Sequence, residues 1–134
     1  MKRLFLIDAY ALIFRFYYAF LNRPMRNREG LNTSAVFGFT KFLNDIIRNE
    51  RPDLLGVAFD PGGKTFRTEL YPLYKANRDE TPEDIRASVP YIKQILSAMG
   101  IPILQVDGYE ADDVIGTLSV KGAEAGYDVY MVTP

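Results

Sequence analysis

The sequence predicts an α/β fold: a mostly parallel central sheet between layers of helix. Short apolar runs alternate with longer segments of helical spacing, the pattern of strand–helix–strand units. The runs are unbroken, as in strands buried on both faces. Acids stand where such runs end, at Asp8, at Asp60 and in Gly108-Tyr109-Glu110-Ala111-Asp112-Asp113. Ligands bind at the carboxyl edge of a parallel sheet.

Leu4 to Ile7 is short and apolar, the first strand. Leu12, Ile13, Phe16, Tyr17 and Phe20 follow at helical spacing, and Arg23-Pro24 through Gly30 makes a polar break. Asn32, Thr33 or Ser34 caps a second helix whose apolar face is Val36, Phe39, Leu43, Ile46 and Ile47. Arg51-Pro52 ends it, and Leu54 to Phe59 reads as the second strand. Thr81-Pro82-Glu83-Asp84 opens a third helix, with Thr as cap and Pro at the first position. Ile85, Val89, Ile92, Leu96 and Met99 form its stripe; Pro90 predicts a kink, or a restart capped by Ser88. Gly100 closes the helix, and Ile101 to Val106 is the third strand. Val114, Ile115, Leu118 and Ala125 lie on a fourth helix closed by Gly126, before a strand from Tyr127 to Thr133.

At 134 residues the chain is about one domain, and its 48% hydrophobic content supplies a core. A net charge of −1 means that a nucleic-acid binder must concentrate its positive charge locally. There is no His and no Cys, which removes Ser-His-Asp and Cys-His catalysis, disulfides and thiolate or imidazole zinc sites. Chemistry is left to carboxylates, Lys, Tyr or a hard cation held by oxygen. Asp8 cuts the N-terminal apolar run too short for a signal peptide or membrane span, so the expected location is the cytoplasm and no membrane partner is expected.

Each acid has a structural use. Asp8 caps a helix, Asp60 opens a turn before Pro61-Gly62-Gly63, and Glu110, Asp112 and Asp113 complement a helix dipole. Five acids at three strand exits point further, to a shared site for Mg²⁺ or Mn²⁺ made of Asp8, Asp60, Glu110, Asp112 and Asp113. Two such ions support phosphodiester hydrolysis. Residues 60–81 are too long for a plain connection. They interleave Lys64, Arg67, Lys75 and Arg78 with Phe66, Tyr71 and Tyr74, which suits a nucleic-acid strand as well as a solvated loop. Gly63-Lys64-Thr65 is no P-loop, because that motif needs Gly where Ala58 stands.

Leu6-Ile7-Asp8, Phe14-Arg15, Phe37-Gly38-Phe39, Ala58-Phe59-Asp60, Phe66-Arg67, Tyr74-Lys75-Ala76-Asn77-Arg78, Thr81-Pro82-Glu83 and the Gly108–Asp113 run stand in the order of a known family. The chain resembles, over nearly its whole length, the N-terminal 5′-3′ exonuclease domain of bacterial DNA polymerase I, a 5′-nuclease of the flap endonuclease group. The resemblance implies a PIN-like, resolvase-like three-layer α/β/α domain, here truncated. It implies a Mg²⁺-dependent nuclease (Mn²⁺ as substitute, two ions in the intact domain) acting on DNA 5′ ends, flaps, nicks and RNA primers in replication and repair, linked to a polymerase domain. Asp8, Asp60, Glu110, Asp112 and Asp113 match its metal acids. Lys75 and Arg78 match basic arch residues at the scissile phosphate, and Arg15, Lys64, Phe66, Arg67 and Tyr74 join them as DNA contacts. Residues 1–134 would be the N-terminal portion of the nuclease, with an arch-like insertion at about 60–84. Ala9 stands where a small residue, often Gly, commonly follows the first Asp, the bulky Tyr10 comes next, and Tyr18 stands where His is common. Ending at the mouth of a strand, Val132-Thr133-Pro134, predicts a fragment with apolar surface left open. A PIN-type ribonuclease, an inactive DNA-binding fragment and a phosphoacceptor domain are the alternatives.

Overall fold

The computed structural model describes residues 2–61 and 82–133. The elements run β1 (Arg3–Asp8), α1 (Ala9–Ala19), α2 (Ser34–Glu50), β2 (Leu54–Ala58), α3 (Glu83–Ala98), β3 (Ile103–Leu104), α4 (Ala111–Glu124) and β4 (Asp128–Val132). The strands form one parallel sheet in the order β3-β2-β1-β4, with Ile7 beside Val57 on one side and Val132 on the other.

That order fixes the layers. Right-handed crossovers stepping from β1 through β2 to β3 lay their helices on one face. The return from β3 to β4 reverses direction and lays α4 on the other. The core divides accordingly: Phe5, Ile7 and Val57 pack with Leu12, Ile13, Phe39, Leu43, Ile85, Ile92 and Leu96 beneath α1, α2 and α3. Leu6 and Ala58 pack with Ala111 and Ile115 beneath α4. A single helix covers less of its face, and an apolar groove of about 670 Å³ stays open along Leu4, Leu6, Leu54, Gly56, Leu104 and Leu118.

Three local expectations are corrected. The third strand pairs only at Ile103–Leu104, because it is an edge strand, Pro102 has no N–H to donate, and the chain turns away at Val106, whose carbonyl accepts from Tyr109 N. Pro90 neither restarts nor ends α3. It lies on the exposed face with Arg86, where water can satisfy the carbonyl that the missing N–H leaves unpaired. Ser88 is accordingly no cap: its Oγ donates to the Asp84 carbonyl at 2.7 Å, inside the helix. Pro82 occupies the N-cap position of α3, and the expected cap Thr81 lies outside the described residues.

At α2, Thr33 holds the cap position without a side-chain bond, while Asn32 Oδ1 accepts from Ser34 N at 3.0 Å. The helix ends at Arg51, held left-handed at φ 47°. α1 and α2 approach so closely that a Cβ on Gly38 would lie 2.5 Å from Phe16 Cγ. Gly38→Ala is therefore expected to lower stability by about 1–3 kcal/mol, the usual cost of overpacking, as read by chemical denaturation; an unchanged midpoint would show that the ring moves freely.

Candidate metal centre

Asp8 is both the last residue of β1 and the N-cap of α1, its Oδ1 accepting from Ala11 N at 3.3 Å. Its strand lies at the switch point of the sheet, between β2 and β4, the place where open α/β sheets bind their ligands. Asp60 follows β2 by two residues, and its Oδ1 accepts from Ala111 N at 2.7 Å. That bond joins the exit of β2 to the first residue of α4. Glu110 and Asp113 form a reciprocal capping box at the same helix start, with Glu110 N donating to Asp113 Oδ2 at 3.0 Å. Gly108, at φ 85°, makes the left-handed turn that leads into it.

Asp60 and Asp112 both stand close enough to Asp8 to act on its charge. Burial pushes the Asp8 carboxyl above its ordinary range, and the Asp112 and Asp60 charges push it further, with Asp112 in hydrogen-bond reach; the Ala11 N–H acts the other way. Acids from three strand exits therefore share one field. Glu110 is buried at 7% exposure, while Asp112 is exposed. The capping and dipole uses expected for these acids are thus present, alongside a convergence those uses do not require.

An all-oxygen donor set whose members repel one another suits a hard divalent cation. As placed, no group of three acids among the described residues stands in metal-holding geometry. Asp8, Asp60 and Asp113 each turn one oxygen to a backbone N–H at a helix start, which leaves the second oxygen of each carboxylate for other partners.

Tyr10 packs its ring edge-to-face on Phe59, centroids 6.1 Å apart, and burial together with the Asp60 charge pushes its phenol upward. Lys93, which the helical stripe of α3 concealed, holds its Nζ 4.9 Å from the Phe59 centroid and donates to Gln105 Oε1 at 2.7 Å. Its position one residue after buried Ile92 was the only signal in the sequence. Arg15 is exposed on α1. Lys64, Phe66, Arg67, Tyr74, Lys75 and Arg78, with the arch-like insertion they belong to, lie outside the described residues.

Residues 3–134 match the family described as the 5′-3′ exonuclease, N-terminal resolvase-like domain. The chain is 42% identical over 130 residues to DNA polymerase I of Mycobacterium bovis, covering 97% of this chain and 14% of that protein. To DNA polymerase I of Treponema pallidum it is 43% identical over 132 residues, covering 98% and 13%. To that of Chloroflexus aurantiacus it is 45% identical over 130 residues, covering 97% and 14%. The chain thus spans about 14% of the length of such relatives. A solved T5 5′-exonuclease with bound divalent zinc ions has the same fold, at TM-score 0.68 and 24% identity, over 98% of this chain and 49% of that one. So does a bacteriophage T5 flap endonuclease in a pseudo-enzyme-product complex with DNA and metal ions, at TM-score 0.68 and 23% identity, over 98% and 48%.

Because burial and two neighbouring acids raise the Asp8 pKa, its ionised form costs folding free energy. That cost is absent below the ordinary carboxylate range and grows as pH rises through the raised value. Asp8→Asn keeps a capping oxygen and removes the repulsion. It is expected to raise the melting temperature of the metal-free chain by roughly 2–8 °C for each kcal/mol relieved, near neutral pH and not in acid. Added Mg²⁺ should stabilise the parent more than the variant; equal melting in all four conditions would remove Asp8 from the acid cluster.

Proposed function

We propose a function from one premise: the chain belongs to the 5′-3′ exonuclease, N-terminal resolvase-like domain family. It is the N-terminal portion of a 5′-3′ exonuclease and structure-specific flap endonuclease that hydrolyses DNA phosphodiesters. Its substrates are DNA with 5′ flaps, nicks or RNA primers, met in replication and repair in the cytoplasm. In the whole protein a polymerase domain is joined to it. The observation that carries this reading is the convergence of Asp8, Asp60 and Asp112 from three strand exits at the switch point of the sheet.

Mg²⁺, or Mn²⁺ in its place, fits the donor set; Asp8, Asp60, Glu110, Asp112 and Asp113 would hold two ions together with further acids of the intact domain. When bound, such ions supply Lewis acidity at the scissile phosphate. Asp60 has a second task, anchoring the α4 N-terminus so that Asp112 stays opposite Asp8. By family resemblance, Lys75 and Arg78 stabilise charge on the phosphoryl oxygens, and Arg15, Lys64, Phe66, Arg67 and Tyr74 contact the DNA. Residues of about 60–84 form the arch-like insertion that brings them there. A second reading, DNA binding without cleavage by this chain alone, is favoured by the lack of a three-acid metal geometry among the described residues.

Cleavage of a labelled 5′-flap duplex with Mg²⁺ separates the two readings, comparing this chain with one extended past Pro134. Cleavage by either, lost with a chelator, supports the nuclease; binding without cleavage by both supports the second reading. In whichever form cuts, Asp60→Asn or Asp112→Asn is expected to abolish cleavage while flap binding persists; near-parental turnover in either variant would sink the metal assignment. Lys75→Ala is expected to lower turnover roughly a hundredfold with a smaller loss of affinity; a change in affinity alone would make Lys75 a DNA contact only.

A further inference from the structure

Tyr10 stands in the first turn of α1, two residues after Asp8, on a helix whose N-terminus opens onto the acid edge. The family resemblance gives it no role. Its ring is held in place from the core side. Phe59 is fully buried, its N–H donates to the Leu104 carbonyl at 2.9 Å, and Asp60 follows it directly. The Tyr10 ring meets the Phe59 ring edge-on, at an interplanar angle of 82°. Its backbone is held as well, because the next N–H, that of Ala11, is tied to Asp8 Oδ1. The result is a half-buried tyrosine beside two of the acids.

The hydroxyl is the part that the fold does not use. Packing on Phe59 needs only the ring, which a phenylalanine would supply without a polar atom to desolvate. Tyr10 makes no side-chain hydrogen bond to the described residues, and among these the one buried polar side-chain atom without a partner is Thr40 Oγ1. The Tyr10 oxygen is therefore open to solvent, close enough to Asp60 to feel its charge. A phenol keeps its proton at neutral pH, so this is a neutral O–H donor at an edge built from carboxylates.

Resting on the nuclease reading above, we propose that Tyr10 is a substrate-contacting residue, its hydroxyl donating a hydrogen bond to a phosphate oxygen of the DNA strand held at the acids. Ionised carboxylates only accept, so a phosphate brought to Asp8, Asp60 and Asp112 needs its donors from other groups. Lys or Arg at this position would pair with Asp60 and compete with a cation for it. A phenol gives the phosphate a bond without that competition, and a ring already seated on Phe59 costs little to order.

The test is the affinity of a labelled 5′-flap duplex, read by anisotropy with Ca²⁺ in place of Mg²⁺, for this chain and for one extended past Pro134. Tyr10→Phe keeps the ring and removes only the hydroxyl, and its melting curve should match the parent's. It should weaken binding roughly tenfold to a hundredfold, the range for a hydrogen bond to a charged group. Phosphates around the flap junction are then replaced one at a time by uncharged methylphosphonates. At one position the cost of Tyr10→Phe should fall to about half on a logarithmic scale, because a bond to a neutral acceptor is about half as strong. Parental affinity in Tyr10→Phe, beside intact Mg²⁺-dependent flap cleavage, overturns this proposal and leaves the nuclease reading in place. So does an equal cost at every methylphosphonate position with weaker Ca²⁺ binding, which would assign the hydroxyl to Asp60. A parent that binds the flap in neither form overturns both.

Discussion

The hydrogen bond from Ala111 N to Asp60 Oδ1 is the contact on which the site depends. It runs between a residue just past β2 and the first residue of α4, elements on different connections of the sheet. A charge-assisted bond of this kind contributes about 1.5–3 kcal/mol, and its geometry matters more than its strength. It fixes where α4 begins, and the beginning of α4 places Asp112 opposite Asp8.

The same contact explains how the fold tolerates its acids. Helix N-termini carry partial positive charge, and two of them, those of α1 and α4, open onto this edge. Asp8 caps the first; Asp60, Glu110 and Asp113 serve the second. The fields of the two helices offset part of the repulsion among the carboxylates. The remainder is visible in the raised Asp8 carboxyl. A cluster so arranged is held together by the helix starts it caps while part of its mutual repulsion stays unrelieved. Tyr10 and Lys93 meet on Phe59, immediately before Asp60, so that residue is supported from the helical side as well.

Much of this was legible in the sequence. Unbroken apolar runs gave the parallel strands, helical stripes gave the four helices, and the position of each acid after a run gave one edge for all of them. The motif order identified the family, which the match over residues 3–134 bears out. What the sequence misjudged was local: it extended β3 beyond its two paired residues and allowed α3 a restart at Pro90 capped by Ser88. Neither is decided by residue type. A strand lasts only as long as its neighbour offers partners, and a proline is tolerated where its orphaned carbonyl faces water. Likewise, Lys93 was hidden because its meaning lies in what stands beside it. Periodicity and punctuation are carried by neighbours in the chain, so the sequence determined the elements and their order. Which acids stand together and which N–H Asp60 accepts from are contacts between segments tens of residues apart, and only the packed sheet decides them.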